Sequence, residues 1–344
     1  MDPVVGSSSG SSSGSDGCTL SQDQITAAGA VNLAASCLSI LGSSAIIINY
    51  FFFLRETKRQ QVLYQMVLSL SIADFFGSIA ICISQSVVLS SIFQGIVFCV
   101  TIRAFINFFF LASFMWMCCI AFHAFWSSRQ RSQVPLPVFH IVSWTVPAVM
   151  TTIMLGKHMI VEEHNTGYCH PTPQARWAFW YGPMFFTFAW NIILYGLILW
   201  RYRQAVRPFV ASPNGSRNVQ DTTLNNSFSQ GSYGPASERF VNERKRKLHS
   251  KVARQLGIYL LAFLICWLPD LVDSFVSTPA KYCDLYWLWI LQNFTTPLQG
   301  FLNFIVYGVS SRMFLRCCRS EPLDIRSIHE NRSQKISILR GIVD

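Results

Sequence analysis

Charge is scarce in this chain. Only 13% of its 344 residues are Asp, Glu, Lys or Arg, against 51% hydrophobic and 14% aromatic. An ordinary soluble domain carries about 25% charged residues, so a composition this poor in charge belongs to a protein whose solvent is largely lipid. Other absences narrow the field. No Lys lies between Leu285 and Val309, which excludes a retinal pump with a Schiff-base Lys in its last helix. The two halves show no internal similarity, so a repeat-built membrane transporter is kept only as the alternative reading. No nucleotide-binding loop or metal-ligand cluster is visible, so neither an enzyme nor a cofactor is expected. No charged segment followed by a short apolar run opens the chain, and the first span is expected to serve as its own signal anchor.

Long apolar runs fill the chain instead. A membrane-spanning helix needs ~20 mostly apolar residues, and the runs are Ala28–Leu54, Val62–Ser90, Gln94–Trp126, Leu136–Leu155, Arg176–Trp200, Val252–Phe275 and Leu285–Val309. The expected fold is therefore all-α, a bundle of seven transmembrane helices over residues 28–310, with the longer runs tilted or reaching into water. No Lys or Arg precedes Arg55, whereas Arg55, Lys58, Arg59, Arg129, Arg131, Arg201, Arg203, Arg207, Arg244–Lys247, Arg312, Arg316 and Arg319 all flank the spans on one side. The opposite side has only Lys157, Arg176 and Lys281, and Arg103 lies inside a span. The positive-inside rule then places the N-terminus outside and the C-terminus in the cytoplasm. The net charge of +10 thus reads as contact with lipid headgroups, not with nucleic acid.

The tails and one loop differ in composition. Residues 1–27 are mostly Ser/Gly-rich and carry no Lys or Arg, and 202–250 are largely rich in Ser, Asn, Gly and Pro. Such segments cannot bury enough apolar surface to fold, so a disordered extracellular tail and a disordered third cytoplasmic loop are expected. The loop is rich in phosphorylatable hydroxyls. Residues 311–344 are expected to form an eighth helix and the cytoplasmic tail, where Cys317 and Cys318 in a basic-apolar stretch are candidates for palmitoylation.

The most specific string is Phe263-Leu-Ile-Cys266-Trp267-Leu-Pro269. Proline has no N–H for the helical ladder and its ring clashes with the preceding turn, so a kink and a natural pivot are expected near Pro269. The string resembles the sixth-helix motif of rhodopsin-like G-protein-coupled receptors, which implies that Trp267 floors a ligand cavity. Leu70-Ser-Ile-Ala73-Asp74 is similar to the second-helix pattern of the same superfamily; Asp74 is read either as a packing hydrogen bond or as a water- or sodium-binding centre. Cys99 and Cys169 match the superfamily's bridge from the third helix to the second outer loop, and Cys18 with Cys283 is a second candidate pair. Trp144, Pro147 and Pro183 resemble further landmarks. Where those families place an acidic-Arg-aromatic triplet this chain has His123-Ala124-Phe125, so either an inner lock uses other groups, such as His123 with Arg129 and Arg131, or His123 is an interfacial histidine with no switching role.

The seventh span joins two signatures. Gln299-Gly300 followed by Tyr307 resembles secretin-like receptors, while Asn303 and Tyr307 resemble the rhodopsin-like Asn-Pro-x-x-Tyr with Phe304 in place of Pro, and Phe314 falls at the spacing of an amphipathic eighth helix. This hybrid looks most like the cyclic-AMP receptors and cyclic-AMP-receptor-like proteins, over about residues 28–318. The resemblance implies a plasma-membrane receptor for an extracellular ligand, a cyclic nucleotide or another small anion. It also implies a heterotrimeric G protein as partner, receptor kinases and arrestin at the loop, and an outward swing of the sixth helix. Asp74, Cys266, Trp267, Pro269, Asn303 and Tyr307 would form the activation network. Arg103 lies one helical turn below Cys99 and needs an anionic partner. That partner is either Asp270 or Asp273 within the chain, or the anionic group of a ligand in a cavity lined by Asn107, Trp267, Gln292 and Asn293.

Overall fold

The structure, a computed structural model, describes residues 21–90, 95–129, 134–162, 169–210, 257–276 and 284–311. Cys18, Arg131, Cys283, Cys317, Cys318, the Arg244–Lys247 cluster, the region of the expected eighth helix and most of the expected tails and loop lie outside these residues. The first helix, α1 (Gln22–Ile48), starts ahead of the apolar run because a capping box fixes its end. The Gln24 N–H donates to Ser21 Oγ and the Ser21 N–H donates to Gln24 Oε1, at 3.2 and 2.9 Å, which satisfies two of the otherwise unpaired terminal amides. A π-helical turn, Asn49–Phe53, ends it. Arg59 then donates to the Phe51 carbonyl at 2.6 Å, and Tyr50 donates to the Arg59 carbonyl at 3.2 Å, folding the short connection back onto the π-helical turn before α2 (Val62–Leu89) begins.

The bundle continues with α3 (Ile96–Ser128), α4 (Leu136–Gly156), a hairpin of β1 (Ile160–Glu162) and β2 (Cys169–Pro171), and α5 (Gly182–Val210) entered through a second π-helical turn, Trp177–Tyr181. The antiparallel hairpin pairs Ile160 with Pro171 and Glu162 with Cys169 and is the one departure from an all-helical chain among the described residues. α5 runs to Val210, so residues 202–210 are helix where a disordered loop is expected from composition. Helix α6 (Gly257–Val276) continues through Pro269.

The seventh span is not one helix. It divides into α7 (Tyr286–Thr295) and α8 (Gln299–Ser311), because Pro297 has no N–H for the ladder and crowds the carbonyl of the preceding turn. A break inside a membrane is tolerable only where freed backbone groups find partners. Here the Gly300 N–H donates to Ser39 Oγ of α1 at 3.1 Å, and Ser78 Oγ of α2 donates to the same oxygen at 2.9 Å. Small residues make that approach feasible: a Cβ on Gly42 would lie 2.7 Å from Phe301 Cα.

Among the described residues, six helices are long and apolar enough to cross a membrane, and the broken pair supplies the seventh crossing. Helix α3 forms the core, with Phe110, Leu111, Ala112, Ser113, Phe114 and Trp116 all buried. Leu41 and Ile48 of α1, Ile141 and Val149 of α4, and Ile192 and Ile193 of α5 are exposed apolar residues, as the lipid-facing side of a bundle requires. The chain forms two compact units, Met1–Val306 and Tyr307–Asp344, and the last residues of α8 belong to the second.

Candidate functional site

A polar centre forms where α2, α3, α6 and α8 meet. Asp74 is buried at 2% exposure. Its Oδ1 accepts from Ser113 Oγ at 2.6 Å and from Gln299 Nε2 at 3.3 Å, and its Oδ2 accepts from Asn303 Nδ2 at 2.8 Å. Gln299 Nε2 also donates to Ser113 Oγ at 2.6 Å, and Gln299 Oε1 accepts from Trp267 Nε1. A buried carboxylate without partners would be expensive; here three neutral side chains on two neighbouring elements donate to it, each bond to a charged group being worth about 1.5–3 kcal/mol. Asp74, Asn303 and Trp267 were legible as site residues in the sequence. Ser113 and the bridging role of Gln299 were not, because a serine in an apolar helix carries no signal until its neighbours are known.

The amides bear on the sodium reading of Asp74. Gln299 and Asn303 both present N–H groups to the carboxylate, whereas a hard cation needs oxygen ligands. As arranged, the residues do not fit a sodium ion.

Above the polar centre, toward the disulfide end, lies an aromatic layer. Trp267 is buried, with its ring 4.7 Å from Phe114, 5.4 Å from Phe110 and 5.6 Å from Trp180 between centroids. Cys266 is buried beside it, and Pro269 follows one half-turn later on α6. Trp180, delivered by the π-helical turn, is the residue sequence reading missed. Its indole N–H donates to Asp270 at 3.0 Å, and the Arg103 guanidinium lies over its ring at 5.8 Å. Asp270 and Arg103 therefore meet on one indole, the carboxylate at its N–H and the cation against its face. Asp273, one turn further along α6, is buried at 3% exposure.

The other proposed cavity residues divide. Asn107 is buried; its Nδ2 approaches Thr151 Oγ1 and Met154 Sδ of α4 at 3.4 and 3.3 Å, while its Oδ1 accepts no hydrogen bond among the described residues. Gln292 likewise keeps a buried Oε1 without a donor. Asn293 is engaged in packing, since its Oδ1 accepts from Asn32 of α1 at 2.9 Å and its Nδ2 donates to the Trp289 carbonyl at 2.8 Å. Tyr307 lies on α8, four residues beyond Asn303.

Cys99 and Cys169 form the disulfide, Cα to Cα 5.6 Å, tying β2 to the start of α3. At the opposite, basic end Phe125 carries two cations: Arg129 at 5.4 Å and Arg201 of α5 at 5.0 Å from its centroid. His123 instead packs edge-on against Phe139 of α4. The end of α3 is therefore joined to α5 through an aromatic ring where an acidic residue is missing.

Known proteins give the same picture. The family model of the seven-transmembrane receptor (secretin family) matches residues 23–302. Cyclic AMP receptor-like protein C of Dictyostelium discoideum is 30% identical over 72% of this chain and 64% of its own length, and protein B of that organism is 27% identical over 76% and 54%. The chain thus spans roughly half to two thirds of those relatives. G-protein coupled receptor 1 of Arabidopsis thaliana is 24% identical over 82% of this chain and 78% of its own. Squid rhodopsin superposes with a TM-score of 0.62 over 92% of each chain at 12% identity, a likeness of fold alone. With the family match spanning the bundle from α1 into α8, the chain belongs to the seven-transmembrane receptor family of the secretin type, a family of receptors and not of transporters.

Proposed function

We propose that this chain is a plasma-membrane receptor that takes an extracellular ligand at its disulfide end and passes the signal to a heterotrimeric G protein at its basic end. One observation carries the reading: an unbroken set of contacts runs from Arg103 through Trp180 and Trp267 to Gln299, Ser113 and Asp74. A ligand that prefers one arrangement of the Arg103–Trp180 layer would bias the polar centre with it, to the extent of its differential affinity for the two states. The swing of α6 about Pro269 would open the basic end.

Arg103 is the proposed anchor for an anionic ligand group, since a guanidinium binds phosphate or carboxylate bidentately. The relatives named for cyclic AMP make a cyclic nucleotide the first ligand to try. The test is nucleotide exchange on purified G proteins by membranes holding the full chain, against cyclic nucleotides and other small anions. Ligand-stimulated exchange supports the reading; no response from any G-protein class to any ligand or in the basal state overturns it. With a ligand in hand, Arg103→Lys is expected to raise the half-maximal concentration about tenfold, and unchanged potency would remove Arg103 from the site.

A further inference from the structure

We propose that the hydrogen bond from Trp180 to Asp270 is a latch that holds the resting position of Trp267, which makes Trp180 a positioning residue for signalling. This rests on the receptor reading above and adds the element that regulates it. Three independent features of the structure converge on this residue. First, Trp180 lies in a π-helical turn, Trp177–Tyr181; such turns cost hydrogen-bond geometry and recur at functional positions. The wider turn changes the helical phase, so Trp180 is buried while Trp177, from the same turn, is 46% exposed. Secondly, Trp180 bridges helices: its N–H reaches Asp270 of α6 at 3.0 Å, and its ring packs on Phe110 and Phe114 of α3 at 6.0 and 6.1 Å. Asp270 is the residue next to Pro269, so the bond joins α6 to the α5 entry at the expected pivot. Thirdly, the Trp180 ring lies 5.6 Å from that of Trp267, whose own N–H is committed to Gln299.

The two indoles therefore hold each other. While Asp270 fixes the Trp180 N–H, the Trp180 ring closes one side of Trp267; once that bond is lost, Trp180 can turn in its wide turn and Trp267 gains room. A ligand that draws Arg103 off the indole face, or that offers Asp270 a better donor, would release it.

The experiment labels the full chain in micelles with 5-fluorotryptophan and follows the fluorine signal of Trp267, assigned by its loss in Trp267→Phe. Trp180→Phe keeps a ring and removes the N–H; Asp270→Ala removes the acceptor; Asp270→Asn keeps an acceptor oxygen. Trp180→Phe and Asp270→Ala are each expected to add a second Trp267 signal of at least one fifth the total intensity. The double variant should add no more, because one bond is lost once, and Asp270→Asn should restore the single dominant signal. An unchanged Trp267 signal in Trp180→Phe, or effects of the two variants that sum, overturns the latch. Basal nucleotide exchange should rise at least threefold in the two latch variants. That arm depends on G-protein coupling, whereas the fluorine signals do not, so failure of the receptor reading and failure of the latch are read separately.

Discussion

At the scale of single residues, the contacts with least room decide most. Gly42 is such a position, since an added Cβ meets the backbone of Phe301 and not the end of a flexible side chain. Gly42→Ala must push α1 from α8, and overpacking of this kind costs about 1–3 kcal/mol; the melting temperature should fall by roughly 1–4 °C. Gly196 on α5 is the control, because an added Cβ meets nothing within 4 Å. Gly196→Ala should be neutral or slightly stabilising, and equal losses at both positions would show that close packing is not the cause. Asp74→Asn leaves the size unchanged but sets an amide N–H against groups that now donate to a carboxylate. It should cost about 1–3 kcal/mol and weaken signalling, while a fully active variant would reduce Asp74 to a packing residue.

Elements add effects that no residue carries alone. The disulfide joins β2 to α3 across a sequence separation of 70, and closing a loop of that length restricts the unfolded chain by about 4 kcal/mol on the entropic account. Cys99→Ser and Cys169→Ser should each lower thermal stability and surface expression, and the double variant should be no worse than either. Clearly additive losses would mean that the two thiols act separately. The break between α7 and α8 is likewise a property of an element with its neighbour. Pro297 removes a donor, but the break is stable because α1 supplies Ser39 to the Gly300 N–H. Both π-helical turns are rich in aromatics, Asn49-Tyr-Phe-Phe-Phe53 and Trp177-Ala-Phe-Trp-Tyr181, yet no spacing in the sequence announces the extra residue that each turn admits.

For the whole molecule, orientation and ionic response are the testable properties. An epitope at Ser7 should be accessible on intact cells and one after Asp344 only after permeabilisation; the reverse pattern would reject the orientation on which the ligand and G-protein sides rest. Because Asp74 is held by amide donors, basal and ligand-stimulated exchange should agree within about twofold between sodium and potassium chloride at equal ionic strength. A marked sodium effect lost in Asp74→Asn would show that the amides turn to admit a cation.

The sequence by itself determined the number of crossings, the asymmetry of positive charge, the disulfide pair expected from the family resemblance, and Asp74, Trp267 and Asn303 as candidate site residues. These were legible because apolar length, charge bias and a few costly polar residues are local properties that the membrane selects one at a time. Tertiary structure alone decided the rest. Ser113 is one serine among many until it donates to Asp74; Trp180 is one aromatic among many until a π turn aims its N–H at Asp270; Phe125 takes two arginines only when the end of α3 lies beside α5. Each of these depends on distances between segments far apart in the chain, and helical phase and packing set those distances where composition cannot.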